Sequence, residues 1–397
     1  MKVELKDIWL KAAVAGGLWA SFEILVGSFL HNLHLPFSGT VMATLSVVLM
    51  IAFLQVWNTS GLIWRAGIVS GLMKSLSPSA MILGPMTGIM MEAVLMDLMI
   101  FLLGKNLVGY WFAGITALLS TILHKIINLF ILYGSDLVNI YVNLFRFLMK
   151  QLSIEEADPR DLILWILILY TLLGMVAATT GYLLGRHSLR SSGTDSNLRQ
   201  MPESEPIQWE LTATDQRFRL SLFFLHLLMI PGMMLLINRF GLHLVSLVPS
   251  LAYIVFLVLY YKKIFRRLKK PLFWSQLVIV TLAAGLFWHP PNEGQTGNWS
   301  GFLVGIEMSL RAVLIVSAFS ALSVEIRNPR IIQRLFRLGF RNAYAAISVA
   351  FQSLPAMLDR SADLKSFLRR PVYSFTSMIQ QAGAWLESYR SQFRSNL

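Results

Sequence analysis

The sequence predicts an all-α polytopic membrane protein with about ten transmembrane helices, followed by amphipathic helices. The composition points there first, because 55% of the 397 residues are hydrophobic and only 14% are charged, whereas soluble domains are about a quarter charged. Apolar runs of roughly 18 or more residues also recur along the chain, and that is the length an α-helix needs to cross about 30 Å of hydrocarbon. The chain has no cysteine, which excludes disulfides, thiolate metal sites and cysteine nucleophiles.

The apolar runs fall into two groups separated by a polar segment. Residues 186–218 are rich in Ser, Thr, Pro and charge, so we interpret them as an exposed linker. The first module, residues 1–185, has runs at about 8–30, 37–57, 61–76, 80–103, 108–133 and 161–185. The second module, residues 219–397, has runs at about 219–237, 243–261, 272–288 and 302–324.

The distribution of Lys and Arg predicts the orientation in the membrane. Basic residues precede the first run and fill the segment at 262–270, whereas the loops at 31–39 and 289–301 contain none. Short cytoplasmic loops carry an excess of Lys and Arg. We therefore expect both termini and the linker to lie in the cytoplasm, with the chain in the inner (plasma) membrane. Lipid contact and this bias account for the net charge of +13, so we expect no nucleic-acid partner.

Ionisable residues at membrane depth are costly and are functional candidates by default. We predict a substrate site in the first module, formed by Glu23, Glu92, Asp97, His124 and Asn128. The alternative is that Glu92 or Asp97 forms a structural ion pair with a cation of the same module. The cations available for such a pair are Arg65, Lys74 and Lys125.

Small residues recur every four positions in the first apolar run, at Ala12, Gly16 and Ala20. Such a stripe lets another helix approach closely. It is either an interface between the two modules or ordinary packing inside the first module.

The chain after residue 324 is amphipathic and basic, with eleven Lys or Arg against four Asp or Glu. We predict cytoplasmic helices at about 328–340, 341–370 and 374–396. A basic amphipathic helix could also lie on anionic lipid, and spacing alone does not decide between a lipid and a protein partner.

The region from about residue 310 to 375 resembles the coupling region of the transmembrane T component of energy-coupling-factor (ECF) importers. The resemblance rests on SLRAVLIVSAFSALSV at the end of the last run, a short basic segment ending in RLGF, and AISVAFQSLPAMLDRSADLKSFLRR. In that family two long helices each end in an Ala-Arg-Gly-like tripeptide whose arginine binds a groove of an ATP-binding cassette (ABC) ATPase. The resemblance implies that Leu368, Arg369 and Arg370 form the first such ending, with Pro371 in place of glycine, and that Arg390 and Arg394 are candidates for the second.

The resemblance further implies a fused importer subunit. Six runs match in number the substrate-binding S component, whose first helix packs through small residues on the T component. The cargo would be a vitamin-like or metal-ion micronutrient, and a partner pair of ABC ATPases would bind ATP and Mg²⁺. This chain has no Gly-rich phosphate-binding motif of its own, since Gly67–Ser75 fails the spacing, so we expect it to be no enzyme and to hold no cofactor.

Two other functions stay open at this point. An ion-gradient-driven secondary transporter could use Glu92, Asp97 and His124 as a proton or cation relay, and a membrane scaffold could bind lipid through its basic tail. We assign no metal site, because His31 and His34 lack a third ligand.

Overall fold

The computed structural model describes residues 6–32, 37–74, 83–152, 158–191, 220–261, 271–288, 299–325, 341–360 and 369–395. All regular structure within these ranges is α-helical, as the sequence predicts. The first module contains α1 (Asp7–Asn32), α2 (Ser38–Val56), α3 (Leu62–Lys74), α4 (Leu83–Leu103), α5 (Leu107–Tyr133), α6 (Asp136–Gln151) and α7 (Pro159–Ser191). The second contains α8 (Leu220–Phe240), α9 (Leu244–Tyr260), α10 (Pro271–Phe287), α11 (Trp299–Glu325), α12 (Arg341–Arg360) and α13 (Pro371–Ser395).

Seven of the described helices are long and apolar enough to cross a membrane: α1, α2, α4, α5, α7, α8 and α11. The helices α3, α9 and α10 are apolar but shorter, so the count of ten spans stays a prediction. The outer face of α7 exposes large apolar side chains, including Leu164, Trp165 and Val176. A continuous exposed apolar face of this kind suits contact with lipid.

The helix α6 lies in a segment for which the sequence predicted no helix. It is too short and too polar to read as a span, but it buries Ile140 and Phe145. It packs against α10, and the Asn143 side chain donates a hydrogen bond from Nδ2 to the carbonyl of Phe287 (2.7 Å). An element of the first module therefore contacts the second.

The largest core surrounds α1 and α2. The Ala- and Gly-rich sequence of α1 lets neighbouring helices approach it closely, and Trp19 is fully buried, with its indole N–H donating to Ser46 Oγ at 2.8 Å. The same core includes α12 and α13, which pack on α1. The α12 helix also contacts α3, and α13 also contacts α2 and α7.

Several observed boundaries differ from the predicted ones. The helix predicted at 341–370 is described as far as Arg360, and the one predicted from 374 begins at Pro371, because proline is well tolerated in the first turn of a helix. The α7 helix continues past residue 185 to Ser191. The predicted helix at 328–340, most of the linker, His34 and Leu368 lie outside the described residues.

Candidate functional site

Two carboxylates lie together in the interior of the first module. Glu23 of α1 and Glu92 of α4 are 8% and 5% exposed, and they are close enough to interact electrostatically. Oε1 of Glu92 is buried and has no hydrogen-bond partner among the described residues. Paired acidic groups at membrane depth can bind a cation or a polar group of a solute.

The predicted residues of α5 border the same face of α4. Asn128 Nδ2 lies 3.0 Å from His124 Nε2, one helical turn away. A Cβ placed on Gly88 would lie 3.8 Å from Cδ2 of His124, so this glycine leaves room for the imidazole. Because Gly88 and Glu92 are four residues apart on α4, they share a face. On that face Glu92 lies near Glu23, and Gly88 lies next to His124.

Asp97 has different surroundings from the other predicted substrate residues. Its carboxylate accepts hydrogen bonds from the backbone N–H groups of Gly61 and Ile63, at the start of α3, and it interacts electrostatically with Arg65. The guanidinium of Arg65 also stacks over the ring of Trp64, at 4.3 Å from its centroid. The interaction with Arg65 agrees with the structural alternative for Asp97, an ion pair with a cation of the same module, and the hydrogen bonds hold the chain at the start of α3.

Adjacent glycines of α1 face different partners. A Cβ on Gly16 would lie 2.6 Å from the carbonyl oxygen of Ala66, so Gly16 packs on α3 within the first module. A Cβ on Gly17 would lie 2.9 Å from Sδ of Met357 and 3.7 Å from Cβ of Ala350, both on α12. Ala12 and Ala20, the other members of the predicted stripe, are fully buried. The sequence pattern pointed to Gly16, whereas it is Gly17 that contacts α12.

Further contacts join α12 and α13 to each other and to α1. The rings of Phe22 and Phe375 lie 5.7 Å apart, and the hydroxyls of Ser353 and Tyr389 form a hydrogen bond between α12 and α13. Burial raises the pKa of Tyr389, so its hydroxyl stays protonated. Protein thus covers apolar residues of both helices that the lipid-surface alternative would place on lipid.

The arginines predicted to bind an ATPase are not equivalent. Arg369 and Arg370 are exposed immediately before α13. Arg390 forms an ion pair with Asp7 at the start of α1, with Nη2 2.5 Å from Oδ1. Arg394 belongs to α13, but its side chain lies outside what the structure describes.

The second module contains a buried polar network that the sequence did not predict. His226 of α8 contacts the hydroxyls of Tyr253 and Tyr261 through its two ring nitrogens, each at 2.8 Å. The Tyr261 hydroxyl donates to Oε1 of Glu325 at the end of α11 (2.6 Å). The network joins α8, α9 and α11. A lone histidine inside an apolar run is the signal that could have revealed it.

No family model, curated protein or solved structure matches this chain. Among the residues that the structure describes, no three His, Asp or Glu side chains are grouped to hold a metal ion. The chemistry that the first module offers is therefore that of carboxylates, an imidazole and an amide, all of which can hydrogen-bond a polar solute.

Proposed function

We propose that this chain is the membrane subunit of an ECF-type ABC importer, with a substrate-capture module and an energy-coupling module fused in one polypeptide. The observation that carries this proposal is the packing of α12 and α13, from the second module, on α1 of the first. An importer of this kind needs such a contact, because force from a partner ATPase has to reach the module that holds the cargo.

The coupling would begin at Arg369 and Arg370, which are exposed at the start of α13. A guanidinium pairs bidentately with a carboxylate, so an acidic groove on an ATPase could hold it in a fixed orientation. The Ser353–Tyr389 hydrogen bond links α12 to α13, and therefore both helices would move together. Movement would reach α1 through the contact of Gly17 with Met357.

The cargo would bind in the first module, next to Glu23, Glu92, His124 and Asn128. The burial of Glu23 and Glu92, with the partly buried His124 and Asn128 on the neighbouring helix, supports a small polar micronutrient, either a vitamin-like solute or a metal ion. Asp97 would support the site only indirectly, by anchoring α3. The ATP and Mg²⁺ would be bound by the partner ATPases, with the tail on the cytoplasmic side of the plasma membrane.

The test is recovery of an ABC ATPase pair with the purified full-length chain. We expect the double charge reversal Arg369→Glu and Arg370→Glu to leave membrane insertion intact and to abolish ATPase recovery. The matched control is Arg186→Glu with Arg190→Glu, which makes the same charge change on exposed residues at the end of α7. If the variant with Arg369→Glu and Arg370→Glu recovers as much ATPase as the control variant and the wild type do, these two arginines have no coupling role.

The proximity of Glu23 and Glu92 favours a second candidate, an ion-gradient-driven secondary transporter. Paired acidic residues inside the membrane are typical of proton and cation relays. Uptake would then collapse with a protonophore and survive ATP depletion, whereas uptake by an ABC importer would fail on ATP depletion.

A further inference from the structure

A polar cavity of about 470 Å³ lies where the two modules meet. Asp136 at the start of α6 lines it from the first module, and Asn238, Glu307 and Arg311 line it from α8 and α11. Small-molecule sites have volumes of about 300–1,000 Å³. The cavity thus has the size for one small solute, and it is separate from the residues around Glu23 and Glu92.

Arg311 is buried at one wall of this cavity. Its side chain is 5% exposed and forms an ion pair with Glu307, one turn earlier on α11. Nη1 also donates to the carbonyl of Tyr133 at the end of α5 (3.3 Å), but Nε has no partner among the described residues. A buried donor without a partner is costly, and the cavity beside this guanidinium has space for a further acceptor.

Two glycines with positive φ angles shape the cavity around this ion pair. Gly134 (φ +78°) sits where any side chain would collide with Nη1 of Arg311. Gly241 (φ +56°) sits where a Cβ would lie 3.2 Å from Oε2 of Glu307. Left-handed backbone favours glycine, and both turns thus hold the backbone close to the ion pair without filling the space beside it.

Asp136 supplies a second carboxylate. It accepts a hydrogen bond from the indole N–H of Trp288 (3.1 Å) and interacts electrostatically with Glu307. One neutral donor fixes the orientation of this carboxylate without neutralising it, and a carboxylate can accept several hydrogen bonds. The lining thus holds two acidic side chains, Asp136 and Glu307, and a single basic one, Arg311.

We infer that this cavity binds a small hydrophilic amine: the ammonium group pairs with Asp136 and Glu307, and a hydroxyl or ether oxygen accepts from Arg311. The ammonium supplies a second positive group, and charge-assisted hydrogen bonds of this kind are the strong ones. Asn238 contributes an exposed amide at the rim. Since the walls come from both modules, the bound amine holds α6 against α8 and α11. This site goes beyond the proposed function and does not depend on it.

The test uses the full-length chain in phosphatidylcholine nanodiscs, which carry no net negative charge that would adsorb an amine. Radiolabelled ethanolamine is the probe, and equilibrium dialysis measures its binding. We expect saturable binding of about one molecule per chain, which unlabelled ethylene glycol does not compete because it lacks the charge. Asp136→Asn is expected to weaken binding by about tenfold or more, since it removes a charged partner.

Two further variants keep the result interpretable. Asp161→Asn is the matched control, because it removes the same charge from an exposed residue in the first turn of α7, and it should bind ethanolamine like the wild type. Asn238→Ala changes an exposed residue, so it should fold normally and bind several-fold more weakly through loss of one hydrogen bond. Absence of saturable binding to the wild type, or unaltered binding to folded Asp136→Asn and Asn238→Ala, would overturn the inference. A chain with Arg369→Glu and Arg370→Glu should still bind ethanolamine, which separates this site from ATPase coupling.

Discussion

Nη2 of Arg390 lies 2.5 Å from Oδ1 of Asp7, so an ion pair ties the last described helix to the first. Asp7 also contacts Lys11, one turn later on α1, with 2.9 Å between Nζ and Oδ2. The side chains of Arg390 and Asp7 are 44% and 50% exposed. A pair this exposed to solvent stabilises a protein little. The pair places Arg390 of α13 beside the first turn of α1.

The first prediction follows from this ion pair. A double-mutant cycle with Asp7→Asn and Arg390→Ala should give a coupling free energy of about 0.2–1 kcal/mol, the range of exposed pairs. Thermal unfolding of the purified chain measures it, and the coupling should decrease as salt is added. A coupling of several kcal/mol would contradict the exposed geometry.

The second prediction concerns the contact between α1 and α12. The Cβ atoms of Gly17→Cys and Ala350→Cys would lie 3.7 Å apart, within the range of about 3.5–4.5 Å that disulfides span. The chain has no other cysteine, so oxidation of this double variant should give one intramolecular disulfide. Met357 has a pliable thioether that can move aside. A mobility shift on non-reducing gels, and protection from a thiol-reactive label, would detect the bond.

The control for this disulfide is Gly39→Cys with Ala350→Cys. Gly39 is exposed and a Cβ placed on it would have no atom within 4 Å, so its thiol fits without a collision and should stay reactive after oxidation. Efficient cross-linking of the control pair, or none with Gly17→Cys, would show that α12 does not lie on this face of α1.

The third prediction separates anchoring from substrate binding. Asp97→Asn weakens the hydrogen bonds that hold the first N–H groups of α3, and hydrogen bonds to charged groups contribute about 1.5–3 kcal/mol each. We therefore expect a lower thermal midpoint with cargo affinity unchanged in the molecules that remain folded. If Asp97→Asn lowers the affinity for the cargo and leaves the thermal midpoint unchanged, Asp97 belongs to the substrate site.

The fourth prediction concerns Glu92. Gln at this position keeps the shape and replaces a buried carboxyl group beside Glu23 with a neutral amide, which should leave the fold at least as stable as in the wild type. Cargo uptake should fall in the same variant, because the carboxylate is proposed to bind it. Gln at the exposed position Glu387 of α13 is the control. Lower stability together with normal uptake would assign Glu92 a structural role.

The helical class and most membrane helices could be predicted from the sequence, because a long apolar run has few alternatives to a transmembrane helix. The α6 helix could not, since its buried side is limited to residues such as Ile140 and Phe145 on an otherwise polar segment. The small residues of α1 predicted an interface with the second module as one possibility, but they did not identify Gly17 as the residue that contacts α12. Neighbouring glycines on α1 point about 100° apart, and no spacing rule says which one meets which helix.

The polar cavity between the modules was beyond the reach of sequence reasoning for a different reason. Its members come from the ends of α5, α6 and α8 and from the interior of α11, and their meeting depends on the turns at Gly134 and Gly241. Arg311 lies within SLRAVLIVSAFSALSV, the stretch that carries the resemblance to the T component, but nothing in that stretch marks it as a cavity residue. Only the three-dimensional packing places it opposite Asp136.

The packing of α12 and α13 on α1 has a consequence for biosynthesis. Helices α12 and α13 leave the ribosome after all the other described helices, so the Gly17 side of α1 has no native neighbour while those other helices are being inserted. A premature stop after α11 would therefore leave that apolar surface uncovered, inviting recognition by chaperones and membrane proteases. Cellular quality control would in this way favour full-length molecules over truncated chains that lack α12 and α13.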